Sequence, residues 1–270
     1  MSHPLPAVGE FYLDGEPHLP PARVIDLFLK DAGLTRDQFG MKPVVLATFN
    51  RRLSAHLAEH SAAARATHPL PATWRELYTS ESGFSIITLS IGAPAAVAAC
   101  EEMMPLGLTH LLVVAASGGL QPSLPIGSAI LPERAIREEG TSHHYLPPDV
   151  PARADPELLD QLEAACRTEG LNPPRGLHWT TDAIYREHRE KIARFQELGV
   201  TSVDMEISAL YALAAYRGFK CASVVVISDE LFEPYRLGFR SPELVEGMGR
   251  AGLAALRVAQ ALAVEASAGP

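Results

Sequence analysis

Short, nearly unbroken apolar runs alternate with stretches of helical spacing along most of the chain. "ARVIDLFLKDAGL" sets Val24, Leu27 and Phe28 on one helical face. "KPVVLATF" and "FSIITLSIG" read as strands, "APAAVAACEEMMPLG" as a helix and "THLLVVAAS" as the next strand. "GSAILPERAIREE" predicts a strand that bends at Pro132. "DPELLDQLEAACRTEG" predicts a helix with an Asp-Pro start and a Gly stop. "RGLHWTTD" predicts a strand and "REHREKIARFQELG" a charged helix. An apolar helix and strand over Ser202–Glu230 follow, then a last helix from Ser241, with that serine as its cap. Residues 1–22 are proline-rich and predicted irregular, and "HHYLPPDVPARADP" is the expected mobile loop.

Strand–helix alternation of this kind implies an α/β domain with a mixed or parallel sheet. Ligands in such sheets bind beyond the carboxyl ends of strands. That rule selects "TFNRR", "SIGAP", "ASGG", "TTD" and "SDE". Gly92, Gly118 and Gly119 would let backbone approach a ligand there. Two acids stand at the edges of the apolar unit near the end: Glu206 where its helix turns apolar, Asp229 where its strand stops.

Bulk composition narrows the function classes. The 270 residues are 47% apolar and 20% charged, enough for a sizeable core, and the net charge is −9. A broad nucleic-acid or membrane surface is not expected from that charge, although a local pocket for a small anion is compatible with it. Cys100, Cys166 and Cys221 are widely spaced and form no metal pattern, so a reducing cytoplasmic setting is expected. No run approaches the roughly 20 apolar residues of a membrane span. The first residues lack the basic-then-apolar order of a secretory signal.

Taken together, these segments resemble the nucleoside phosphorylase superfamily of purine nucleoside and uridine phosphorylases and related nucleosidases. "SIGAP" is similar to its glycine–proline loop. "ASGGLQPSLPIGSAIL" resembles its glycine turn and following strand, with Ser128 replacing an aspartate. "TTDAIYRE" resembles the base-closing segment, "VDMEISALYALAAYRG" the methionine–glutamate helix, and "VVVISD" the final strand with its aspartate. The resemblance spans about residues 40 to 265 in family order. It implies a single-domain three-layer α/β/α sandwich with a mixed central sheet over 41–270, preceded by an extension with one helix over 1–40. It also implies cleavage of an N-glycosidic bond.

That chemistry needs a grip on the sugar hydroxyls, a proton donor for the leaving base and a nucleophile at the anomeric carbon. A carboxylate can accept from two vicinal hydroxyls. By the resemblance Glu206 binds the ribose 2′ and 3′ hydroxyls and Met205 packs on the sugar. Without it, Glu206 could simply favour a helix N-terminus. Asp229 emerges from a buried strand, where desolvation raises a carboxyl pKa. Protonated, it could donate to N7 of a purine; otherwise it is a loop or capping residue. Ser228 would support it, and Arg236 or Arg240 could assist. Ser117 and Gly118 are expected in the glycine turn, with Ile184 and Tyr185 against the base. His188 and Glu190 fall where uridine phosphorylases carry a glutamine and an arginine, which weakens uracil recognition.

The acceptor is less well provided for. The resemblance implies a phosphate loop after the first strand, but Thr48 and Phe49 replace its glycine and aspartate. Arg52 matches its arginine, with Arg51 beside it. A second arginine falls on Val113, a hydroxyl residue on Ala116 and a serine on Ala95. Each lost charge-assisted bond is worth about 1.5–3 kcal/mol, so the sequence leans to water as acceptor. The alternative is phosphorolysis through Arg51, Arg52 and Arg75 of a neighbouring subunit. Arg51 and Arg52 could also be a solvated helix start. "GEPHLPP" loosely resembles a segment whose histidine, here His18, reaches a neighbour's sugar, implying a homodimer or hexamer. No cofactor or metal is expected, with phosphate possible as co-substrate. A nucleoside-binding protein without turnover is the competing class.

Overall fold

The apolar runs become strands because both of their faces are covered. The computed structural model describes residues 15–268. Its first half runs α1 (Pro21–Ala32), α2 (Arg36–Phe39), β1 (Val44–Thr48), α3 (Arg51–His60), β2 (Ala64–Arg65), β3 (Trp74–Thr79), β4 (Phe84–Leu89), α4 (Ala93–Met103) and β5 (His110–Gly119). There follow β6 (Ala129–Glu138), β7 (Ala152–Arg153), α5 (Pro156–Thr168), β8 (Arg175–Thr181), α6 (Arg189–Glu197) and β9 (Val200–Asp204). The chain closes with α7 (Ile207–Arg217), β10 (Lys220–Glu230), β11 (Arg236–Leu237) and α8 (Pro242–Ala268). Of the proline-rich start, residues 1–14 lie outside the described residues.

These strands form one mixed sheet in the order β11-β10-β6-β8-β9-β5-β1-β4-β3-β2, with β7 beside β6. Strands β4, β1, β5 and β10 are parallel neighbours, so their carboxyl ends share a rim. Strand β10 pairs with both β5 and β6, which closes β5-β9-β8-β6-β10 into a ring. The remaining arm, β1-β4-β3-β2, stays open. Helices α3, α5 and α8 pack together over one group of strands, and α1, α4 and α7 form the second helical layer. Coverage by both layers explains why β1 and β4 are buried throughout and read as continuous apolar runs.

Local signals place several boundaries. Asp155 caps α5 by accepting from Leu158 N at 2.9 Å, and Ser241 Oγ does the same for Leu244 N at 3.1 Å. The bend expected at Pro132 coincides with a register shift of β6 against β8 between Pro132 and Arg134. The charged helix starts later than its composition suggests, at Arg189, after a 3-10 turn over Ile184–Arg186.

The segment expected to be a mobile loop is tied down. Arg137 donates to Leu146 O at 2.7 Å, Pro147 O at 2.6 Å and Val150 O at 2.8 Å, and β7 pairs with β6. Its prolines marked it as irregular, but one guanidinium satisfies three of its carbonyls. No helix among the described residues is long and apolar enough to cross a membrane.

Candidate active site

The candidate site lies at the carboxyl end of β5, where Gly118 pairs with Val203 of β9 on one side and Asp229 of β10 on the other. Its floor is marked by Ala116, the exposed residue in an otherwise covered stretch of β5. Three loops converge on it: the turn after β4, the β9–α7 junction and the end of β10.

At the β9–α7 junction Glu206 occupies the position before the first helical residue, with φ −139° and ψ −39°. Its side chain does not cap its own helix. Asp204 Oδ2 accepts from Ile207 N at 3.0 Å, and Thr180 Oγ1 accepts from Ser208 N at 3.0 Å. Those two residues satisfy the first helical N–H groups, so the Glu206 carboxylate is not needed as a cap for its own helix. Its Oε1 accepts from Gly92 N at 2.6 Å and its Oε2 from Met205 N at 3.3 Å. Burial and the neighbouring Asp204 charge push its pKa up to about 8, against the pull of the two N–H donors. Glu206 is nearly fully buried and Met205 partly so.

Asp204 itself sits in a buried polar network that the sequence did not announce. Its Oδ1 accepts from Thr180 Oγ1 at 2.7 Å. His178 Nε2 lies 2.9 Å from the same oxygen but outside hydrogen-bond angles, while its Nδ1 meets Ser202 Oγ at 2.8 Å. The network fixes the β8 and β9 ends against α7 and so fixes the backbone that carries Glu206.

Asp229 stands at a bulge, where the register of β10 on β5 shifts between Ile227 and Asp229. The shift turns its side chain out of the regular alternation. Burial raises its pKa, while hydrogen bonds from Ser228 and Tyr235 oppose the rise. The Ser228 hydroxyl is 2.7 Å from Asp229 Oδ1, as expected of a supporting residue. Arg236 pairs with the buried Glu230 at 3.0 Å, and Arg240 is exposed. A further carboxyl, Glu187, enters from the turn before α6. Burial and the charges of Asp229 and Glu138 push its pKa up to about 7.

Other expected residues are distributed less favourably. Ser117 is buried and its hydroxyl donates to Val203 O at 2.7 Å, so it ties β5 to β9. A Cβ at Gly118 would lie 3.1 Å from Leu231 Cδ1 and 3.2 Å from Val203 Cγ1, so packing alone accounts for a glycine there. Ile184 and Tyr185 are exposed, Tyr185 almost completely. His188 and Glu190 are also exposed, as is His18 at the start of the described residues.

The acceptor side lies on the open arm. Asn50 caps α3 by accepting from Arg52 N at 2.9 Å and Leu53 N at 3.2 Å. Arg52 is exposed, with no ion-pair partner among the described residues. Arg51 instead donates to Glu76 Oε1 at 2.9 Å, and Arg65 reaches the same oxygen at 3.0 Å. Arg75, expected from a neighbouring subunit, here bonds Ser90 of its own chain at 2.9 Å. It is the extra residue where the register of β3 on β4 shifts between Trp74 and Glu76, and that bulge aims it at the glycine–proline turn. Val113 is fully buried in β5. Among the described residues no group of His, Cys, Asp and Glu side chains could hold a metal ion.

Residues 52–263 match the family model of the phosphorylase superfamily. The chain belongs to that superfamily. A uridine phosphorylase of Haemophilus influenzae is 26% identical over 161 residues, which cover 54% of this chain and 64% of that protein. The aligned part thus falls short of the relative's full length. A purine nucleoside phosphorylase from Toxoplasma gondii, solved with immucillin-H, shares the superfamily fold with a TM-score of 0.77 at 20% identity. It is covered over 95% of its chain, and this protein over 86%. An AMP nucleosidase from Bacteroides thetaiotaomicron matches with a TM-score of 0.70 at 22% identity, covering 88% of this chain and 97% of its own.

Glu76, Arg65, Asp204, His178, Glu187 and Tyr235 escaped the sequence reading. Glu76 carried a usable signal, since "WRELYT" is a β-propensity run holding two charges, and a buried charge requires a partner.

Proposed function

We propose that this superfamily member is an enzyme that cleaves the N-glycosidic bond of a purine-type nucleoside with water as acceptor. The observation that carries the reading is a pair of desolvated acids on the two strands that flank the end of β5, Glu206 following β9 and Asp229 in β10. Glu206 is held from behind by the Gly92 and Met205 N–H groups, leaving lone pairs for two sugar hydroxyls. Those hydroxyls supply donors that stabilise its ionised form, and its charge favours the oxocarbenium character that develops on the sugar. Burial raises the pKa of Asp229, which favours the acid form that gives a proton to N7 of a leaving purine. As the bond from the anomeric carbon to the base breaks, its electrons go to the base and the Asp229 proton goes to N7. Water adds to the anomeric carbon and loses a proton to solvent, and Asp229 regains one from solvent.

Water is favoured because, of the expected phosphate ligands, Arg52 alone among the described residues is left exposed and unpaired. Val113 and Ala116 stand where an arginine and a hydroxyl were expected, and Arg51 is engaged with Glu76. Phosphorolysis is the second reading, favoured by Arg75 reaching Ser90 beside the glycine–proline turn.

A panel of purine and pyrimidine nucleosides, incubated with and without phosphate, tests the proposal. Release of free purine base and ribose without phosphate is expected. A strict need for phosphate overturns the choice of water. Nucleoside binding without release of any base overturns the enzymatic reading.

A further inference from the structure

Two guanidinium groups from separate elements converge on one buried oxygen. Arg51, at the start of α3, and Arg65, in β2, lie 2.9 and 3.0 Å from Glu76 Oε1. Both arginines are largely exposed, whereas the Glu76 side chain is 6% exposed. Its second oxygen accepts from Thr88 Oγ1 at 3.2 Å and lies 3.4 Å from Ser54 Oγ. Those two hydroxyls are themselves 2.6 Å apart and fully covered. The phenol of Tyr78 also faces the carboxylate. Two arginines with a serine and a threonine behind them form the donor set an oxyanion takes in proteins. In this chain a carboxylate of the chain itself fills it.

We infer that Glu76 selects the acceptor: its carboxylate occupies the Arg51–Arg65 donor pair, keeps phosphate out and leaves the position to water. This inference rests on the proposed glycosidic cleavage for its functional meaning, though not for its test. Burial alone pushes the Glu76 pKa up. The Arg51 and Thr88 hydrogen bonds and the Arg65 charge outweigh burial and hold its pKa below the ordinary carboxylate value. It is therefore ionised at neutral pH, and an arriving phosphate must compete with it for the two guanidinium groups. Strand β3 leads from this cluster to Arg75 and thence to Ser90, so the cluster lies on the arm that carries Gly92, the anchor of Glu206.

The test is the binding of inorganic phosphate, followed by calorimetry on the full chain without nucleoside. Glu76→Gln keeps the size and the hydroxyl contacts of the side chain but removes the charge. It is expected to tighten phosphate binding by about tenfold or more over the parent. Adding Arg51→Gln to it should abolish that gain. With nucleoside present, Glu76→Gln should also yield a phosphorylated sugar in place of free ribose. A Glu76→Gln protein with parental Tm that binds phosphate no tighter overturns the inference. Should that variant not fold, Arg51→Gln in the parent decides. Parental phosphate binding that is absent, or unchanged by Arg51→Gln, supports Glu76 as the occupant, and a severalfold loss overturns it. If no nucleoside is cleaved by any variant, the proposed reaction fails while the phosphate titration still judges Glu76.

Discussion

Glu206 Oε1 accepts a 2.6 Å hydrogen bond from Gly92 N, a partner 114 residues away in the sequence. The bond joins the closed ring, which carries Glu206, to the open arm, which carries Gly92. It also fixes the direction of the remaining lone pairs, and hence where a sugar can sit.

Gly92 has φ +102°, a conformation L side chains rarely adopt. Space is not the obstacle, because the nearest atom to an added Cβ is Pro94 Cδ at 4.0 Å. Gly92→Ala should therefore act through the backbone, costing about 1–3 kcal/mol if the turn is kept. Relaxation of the turn would withdraw the N–H from Glu206. Calorimetric titration with a purine nucleoside should show affinity lowered by about tenfold, the loss expected when a charge-assisted bond goes.

The raised pKa of Glu206 makes stability depend on pH in a defined direction. Its folded value is about 8 against an ordinary 4.5, so the folded state retains a proton that the unfolded chain releases. Stability from this group is full below about pH 4.5 and declines as pH rises toward about 8. Glu206→Gln should remove that decline, so the Tm difference between variant and parent grows with pH in that window. Nucleoside affinity should move the other way in the parent, rising with pH, because the ionised carboxylate accepts the sugar hydroxyls. Melting curves and titrations across pH 5–9 check both signs.

Asp229→Asn removes the proposed acid but preserves shape. Base release should fall by about 10²–10⁴-fold, the usual worth of positioned general acid catalysis. Nucleoside affinity should change little, which separates loss of chemistry from loss of binding. Tyr235→Phe should have a subtler effect. Its hydroxyl stabilises the ionised Asp229, so its removal raises the Asp229 pKa further. The alkaline limb of the rate profile should then shift to higher pH.

Arg137→Ala tests how the segment between β6 and α5 is held. The substitution removes the bonds to Leu146 O, Pro147 O and Val150 O together. Limited proteolysis should cut within residues 143–151 severalfold faster than in the parent, while base release is unaffected.

The sheet's central parallel strands were legible in the sequence because both of their faces are covered. Strands β1, β4, β5 and β10 are apolar at nearly every position, a pattern that survives without tertiary information. Glu206 and Asp229 stood out because each interrupts such a run. Strand β3 did not, since Arg75 and Glu76 break its pattern and the charges that explain Glu76 lie at Arg51 and Arg65. Strand β9, "VTSVD", was absorbed into the helix reading because its polar residues bond inward to β8, a contact spacing cannot reveal. Ser117 illustrates the converse: a serine in a glycine turn looks available to a ligand, yet the structure spends its hydroxyl on Val203.

Ring closure has a consequence for how this protein can change over time. The two acids proposed to break the glycosidic bond belong to the ring: Glu206 follows β9, which pairs with β5 and β8, and Asp229 lies in β10 beside β5. The groups proposed to choose what replaces the base, Glu76, Arg51 and Arg65, belong to an arm that ends in the two-residue strand β2. Substitutions on that arm away from Gly92 can alter the second reactant while the two acids keep their supports. Bond breaking and acceptor choice are thus separable traits, and a lineage could exchange one reaction outcome for another without passing through an inactive ancestor.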